Sequence, residues 1–387
     1  MTRRLRLLLL ILALPVLLLA SAWYWLLHTQ SGAAFVWSQL GERVPGGLSA
    51  NSVAGDFGSG HTATGVHFNN ADLEIRIARL SFSLDVDLLP LSVTVQRPQL
   101  ESIDVELRGD DSEGAAAGPD IAEVLESLQL PLEVAVEDLQ LNALRLGRPN
   151  EDAREIVTNM TGSVFWSDEL RLDNLFADTP LARGTIDGQL SFLEPFAHRI
   201  AIASTVKDIG LVELDGSEFA LSSGGTLHDV EFESSLSEPG IRASGTITDS
   251  LSDAVVDIVV SGSALRWPLV GEPTVSATDF AVTVAGKLDD YRTQATSAIE
   301  TNALGLSNVM ISGSGSRSHF SADQLQVDGV AIELTGTGTI DWSDELAVDA
   351  AADIRQVDPR NWVGQWPQNF PLSGAVDVTW RADRIEL

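Results

Sequence analysis

The side chains able to do chemistry are few and scattered. His28, His61, His67, His198, His228 and His319 are the only histidines, and just one pair, His61 and His67, stands close in the chain. A metal there would need further ligands nearby, whereas two histidines on a strand surface need nothing more. The carboxylate pairs Asp85/Asp87 and Asp289/Asp290 have a spacing that general acid–base work could use. They fall among alternating residues or in a turn, where solvated acids are the ordinary outcome. Residues 313–318 (GSGSRS) are glycine-rich but lack the Gly-Lys-Ser/Thr ending that holds phosphate, and the only lysines are Lys207 and Lys287. No nucleophile elbow and no twelve-residue calcium loop is present. The RGD tripeptide at 108–110 opens a polar loop and reads as chance. The expectation is a protein without catalysis, metal or cofactor.

Composition narrows the remaining classes. The chain has 387 residues, 24 Lys plus Arg against 55 Asp plus Glu, and a formal net charge of −31. Such a balance disfavours nucleic acid, whose affinity comes largely from cationic contacts to phosphate. It also disfavours electrostatic docking on an anionic membrane face. There is no Cys, so packing and sheet hydrogen bonds must hold the chain together. An apolar fraction of 44% with pervasive strand patterning argues against disorder.

The elements that must position any function begin at the N-terminus. Arg3, Arg4 and Arg6 precede an uncharged run over 7–27, about as long as the roughly 20 residues a bilayer-spanning helix needs. The basic flank places the N-terminus in the cytoplasm, and Trp23, Tyr24 and Trp25 stand where an aromatic belt would meet the far headgroups. The competing reading is a signal peptide cut at Ala20-Ser21-Ala22. Next, Ser31 is a candidate N-cap, and Ala33, Val36, Trp37, Leu40 and Val44 recur at helical spacing before Pro45-Gly46-Gly47 stops the helix. From there the period falls to 2. Leu73, Ile75 and Ile77 form one apolar series, and Phe82, Leu84 and Val86 a second. Val93 with Val95, then Ile103 with Val105, continue the pattern, each series reading as a strand with one dry face. After a polar loop over 109–120 and a short helix before Pro131, alternation runs to Val378.

A Gly-opened β-hairpin recurs along the chain. GSVFWSDELRLDNL at 162–175 and GTIDWSDELAVDAA at 338–351 are its clearest copies. Stacked hairpins make a quasi-one-dimensional sheet, and about 25 strands would run on the order of 120 Å and must coil or curl. Gly184, Gly188, Gly313, Gly315, Gly336 and Gly338 fall on the apolar parity of their strands. Glycine there marks either curvature or room on the apolar face for something other than this chain.

The stretch HTQSGAAFVWSQLGERVPGGLSANSVAGDF, directly after the apolar run, resembles the N-terminus of the TamB family, AsmA-like inner-membrane subunits of the translocation and assembly module. Thr29, Gly32, Val44, Pro45, Gly46 and Gly55 match its pattern, and the likeness continues through LEIRIARLSFSLDVDLLPLSVTVQRPQLESIDVEL. It covers roughly the first 200 residues well. The resemblance implies an inner-membrane anchor, a periplasmic β-groove, and roles in outer-membrane assembly, autotransporter biogenesis and phospholipid transport, with an outer-membrane Omp85-type (TamA-like) partner. That partner is met by a C-terminal region this chain does not show; it stops in mid-pattern at VTWRADRIEL, as an N-terminal portion or a short relative would.

These readings give a mostly β protein divided into an anchor (1–28), a juxtamembrane helix and turn (29–47), a first groove block (48–108), a loop with a short helix (109–131) and a long hairpin groove (132–387). Phospholipid would slide along Leu73, Ile75, Ile77, Phe82, Leu84, Val86, Val93, Val95, Ile103 and Val105, with Val36, Trp37 and Leu40 at the membrane. The chain would be single-pass in a bacterial inner membrane, its bulk periplasmic. Two alternatives stand beside the conduit: a scaffold that pairs client strands at the sheet edge, and a secreted adhesin of stacked strands.

Overall fold

The computed structural model describes residues 21–386, apart from 45–46, 71–72, 109–123, 126, 149–152, 208–213, 252, 269–271, 303–304, 344, 362–366, 368–369 and 382–383. Most of the expected anchor, and most of the loop after Arg108, lie outside these residues. Among the described residues no helix is long and apolar enough to cross a membrane. The chain divides into two compact units, Met1–Leu193 and Glu194–Leu387, a division coarser than the five segments read from sequence.

In the first unit a helical segment over 21–28 leads into helix α1 (Gln30–Arg43). Thr29, not Ser31, is the N-cap: its backbone is extended (φ −135°) and its hydroxyl accepts from Gly32 N at 3.1 Å. The Ser31 hydroxyl instead accepts from Trp25 Nε1 at 2.9 Å. Gly32 is required here, because a Cβ would lie 2.2 Å from the Trp25 carbonyl where the two helical segments meet. Val44 turns extended and ends α1, its N–H bonded to the Leu40 carbonyl; Pro45 and Gly46 fall outside the described residues.

Strands β1 (Leu48–Ser49), β2 (Ser52–Asp56), β3 (Gly60–Asn69), β4 (Leu73–Leu88), β5 (Leu91–Leu107), β6 (Glu133–Gly147), β7 (Arg154–Trp166), β8 (Glu169–Asp178) and β9 (Ala182–Ser191) follow. β1 and β2 both pair with β3; from β3 onward pairing is sequential, and all of it is antiparallel with one exception. β5 and β6 run parallel, in the register Ser92–Glu133 to Glu106–Gly147, because the long connection between them carries the chain back to the same end. Among the pairings described within this unit, the serial-hairpin expectation fails at that step and at β1, which pairs with β3 rather than β2.

The alternation read as several short strands belongs to two long ones, β4 and β5, of 16 and 17 residues. The apolar parity of β5 changes midway because a left-handed residue creases it, and β3 and β6 carry one at the same level. Gly65 (φ 58°), Ser102 (φ 50°) and Ala143 (φ 59°) lie at matching levels of β3, β5 and β6. Each shifts the pleat by one residue. Side chains three apart thereby share a face: Leu141 and Leu144, and Val157 and Met160, pack in one cluster with Ile77 and Ile103.

The second unit is a meander of β10 (Ala197–Val206), β11 (Glu218–Thr226), β12 (Val230–Leu236), β13 (Ile241–Thr248), β14 (Val255–Trp267), β15 (Val275–Lys287), β16 (Asp290–Thr301), β17 (Gly305–Gly315), β18 (His319–Gly329), β19 (Ile332–Asp341), β20 (Ala347–Val357), β21 (Leu372–Arg381) and β22 (Arg384–Glu386). Every neighbour pair described here is antiparallel. The repeat hairpins pair as read, β7 with β8 across Ser167-Asp168 and β19 with β20, both antiparallel.

Candidate functional site: an apolar lane across the strands

In the second unit the register lines apolar side chains up across the strands rather than only along them. One row passes from Ile258 on β14 to Val284, Thr293, Gly313, Ala322, Gly338, Ala350 and Val378 on the next seven strands. The adjacent row on the same face runs Val260, Val282, Ala295, Ile311, Leu325, Gly336, Ala352 and Val376. Backwards, the first row continues through Gly245, Phe232, Ser223 and Ile200 to β10. Neither row contains an ionisable residue over twelve strands, β10 to β21. The opposite face holds the charge. Asp257, Arg292 and Asp349 alternate with these rows, and ion pairs such as Arg355–Glu333 (3.0 Å) and Arg381–Asp349 (3.0 Å) lie among exposed side chains.

Glycine shows which way the sheet bends. A Cβ on Gly245, Gly313 or Gly336 would point to the apolar face and lie 2.3, 2.0 or 2.5 Å from the carbonyl oxygen of Asp257, Ser321 or Ala351 on the next strand. The neighbouring strand therefore leans over the apolar face, and the sheet is concave there. Gly338 and Gly315 are likewise crowded, by Asp349 O and Tyr291 Oη. At Gly313, Gly315, Gly336 and Gly338 the space a Cβ would take is met by backbone or side-chain atoms of a neighbouring strand.

The lane is not sealed. The buried apolar side chains described in the second unit are Phe196, Val256, Ile332 and Val357. Along the rows the larger side chains stay half-exposed, with Ile200 and Val376 each at 37%. His198, at the edge of the lane, is buried, donates to or accepts from the Ser223 hydroxyl at 2.9 Å, and has its pKa lowered by burial.

The first unit repeats the arrangement with a covered end. Leu84, Val95, Val136, Val164, Leu172 and Gly188 form one row, and Val86, Val93, Val134, Trp166, Leu170 and Leu190 the next. Gly184 sits beside Ala177 on the row of Met160 and Leu141. Ile75 pairs with Phe68 and Val105, Ile77 with Val66 and Ile103, and Leu73 with Leu107. Over Phe82, Leu84 and Val86, however, α1 lies on the sheet, forming a cluster with Leu27, Ala33, Phe57, Val36 and Trp37. Of the residues expected at the membrane, Val36 and Trp37 therefore face the sheet, while Leu40 is 42% exposed. Trp23, Tyr24 and Trp25 are exposed on the helical segment before α1.

The joint of α1 and the sheet is a histidine that sequence reasoning passed over as a strand-surface residue. His61 is 1% exposed, ringed by Phe57 (4.7 Å between ring centres) and Phe82 (5.5 Å), and its Nε2 accepts from Trp37 Nε1 at 2.6 Å. Indole N–H only donates, so Nε2 must be unprotonated and the ring proton sits on Nδ1. Burial lowers the His61 pKa, against the smaller upward pulls of the Gly55 backbone and Asp56. His67 belongs to a different site, beside buried Glu74 at 3.0 Å together with Arg76 and Arg108. Arg108 of the RGD tripeptide is thus an ion-pair partner within the sheet. Among the described residues no group of three His, Asp or Glu side chains is placed to hold a metal ion.

A serially paired sheet with one charged face and one concave, unsealed apolar face defines a β-groove protein. A family model, TamB, N-terminal domain, matches residues 17–147 and 117–384, and the chain belongs to that family. No solved structure matches the chain.

Proposed function

We propose that the protein carries phospholipid acyl chains along its apolar lane, headgroups in water, between a bacterial inner membrane in which its N-terminus is anchored and the outer membrane. The observation that carries this reading is the uncharged concave face spanning twelve strands and left half-exposed. At about 4.8 Å per strand the lane of the second unit has a contour of roughly 50 Å. Each buried CH₂ is worth about 0.8 kcal/mol, so an acyl chain of about 16 carbons costs on the order of 12 kcal/mol to expose to water. Uncharged rows made mostly of valine, isoleucine, leucine, alanine and glycine remove most of that cost without a deep site that would trap the chain. No side chain is asked to do covalent chemistry. An outer-membrane Omp85-type, TamA-like partner completes the path in this reading; the family membership supports it.

Charge placed in the lane tests the reading. Val260→Glu with Val284→Glu should abolish lipid transfer between donor and acceptor vesicles, while Ala285→Glu on the exposed face leaves it unchanged. Equal transfer by both variants would sink the conduit. The second reading, an assembly scaffold, gains only from open sheet edges, and predicts capture of client polypeptide that these substitutions do not alter.

A further inference from the structure

We infer that the tip of the β4–β5 hairpin is a second membrane contact, inserted into the bilayer beside the helical segment that carries Trp23, Tyr24 and Trp25. The inference rests on the anchored reading above and adds a surface to it. Leu88, Leu89 and Leu91 are 60%, 95% and 48% exposed at this tip, with Pro90 between them and no charge from Leu88 through Ser92. The patch extends sideways. β6 starts parallel to β5 in the register Ser92–Glu133, which brings exposed Leu130 and Pro131 to the same end. Other exposed apolar turn residues, such as Leu181 at 65% and Val330 at 94%, stand singly.

Position names the occupant. The chain coming from the apolar run over 7–27 is fastened to the sheet close to this tip: Gly58 N donates to the Leu27 carbonyl (2.9 Å), and Leu84 N donates to the Phe57 carbonyl (2.6 Å). Val86, two residues short of Leu88, packs against the same Leu27–Phe57 cluster. Five residues of strand, about 17 Å, separate Leu84 from Leu89. The helical rise from Leu27 back to Trp23 is only about 6 Å. A bilayer met by the aromatic residues is therefore within reach of the leucines. Asp87 and Glu133 flank the patch and are exposed, so contact is apolar and not driven by anionic headgroups.

The chain contains no Cys, so single labels are available at once. Leu89→Cys, Trp23→Cys and Leu181→Cys, each labelled with an environment-sensitive fluorophore, are reconstituted as full chains in phosphatidylcholine vesicles containing doxyl-labelled lipid. Leu181 lies in the same unit, in a turn level with Arg79 by register and so about 30 Å down the sheet from Leu88. Loss of fluorescence at 89 comparable with that at 23, and none at 181, is the expected result. Quenching at 23 with 89 as bright as 181 overturns the inference and leaves the anchor standing. Brightness at all three positions overturns the anchor and the tip contact together.

Discussion

His61 stakes its surroundings on one proton. Its Nε2 must stay bare to accept from Trp37, and burial keeps the folded-state pKa below the ordinary 6.5. The unfolded chain then binds more protons between the two values, so stability falls as pH drops from 6.5 towards the folded pKa and levels off below it. His198, buried and similarly lowered, adds to the same slope. Urea unfolding midpoints followed against pH should decline through this window, and His61→Phe should flatten part of the decline; an unchanged slope would mean His61 is already free to charge. At neutral pH, Trp37→Phe removes the donor to Nε2, with an expected loss of about 1–3 kcal/mol from the unsatisfied ring nitrogen.

Helix and strands show what periodicity can and cannot reveal. The helical spacing of Ala33, Val36 and Trp37 identified α1 and its apolar stripe, but not that the stripe lies on Phe82, Leu84 and Val86. Period 2 located β4 and β5 and their dry residues. It broke β5 into pieces because a single left-handed residue, Ser102, changes parity without ending the strand, and nothing about a serine announces φ 50°. The parallel β5–β6 pairing was invisible for a similar reason: direction depends on where a loop returns, not on the strands it joins. The glycines were legible as positions on the apolar face, whereas their purpose needed the neighbouring backbone. Gly336→Ala places a Cβ 2.5 Å from the Ala351 carbonyl, and should loosen β19–β20 by about 1–3 kcal/mol, read as faster amide hydrogen exchange in those strands. Gly374→Ala meets nothing within 4 Å and should leave exchange unchanged.

At the scale of the whole molecule, each unit's described rows place charge and apolar side chains on alternate faces of the sheet. A net charge of −31 disfavours packing into a compact globule, and among the described residues the apolar rows of the second unit carry none of it. Apolar surface of this extent, unsealed by the chain itself, calls for an occupant, and the proposal names phospholipid. The most direct test is a photo-crosslinking residue in place of Val284, in the middle of the lane, compared with one in place of its exposed neighbour Ala285. After irradiation of cells producing the full chain, phospholipid recovered covalently at position 284 and not at 285 is the predicted result. Equal recovery at both positions, or none at 284 while 284 instead captures polypeptide, would contradict it.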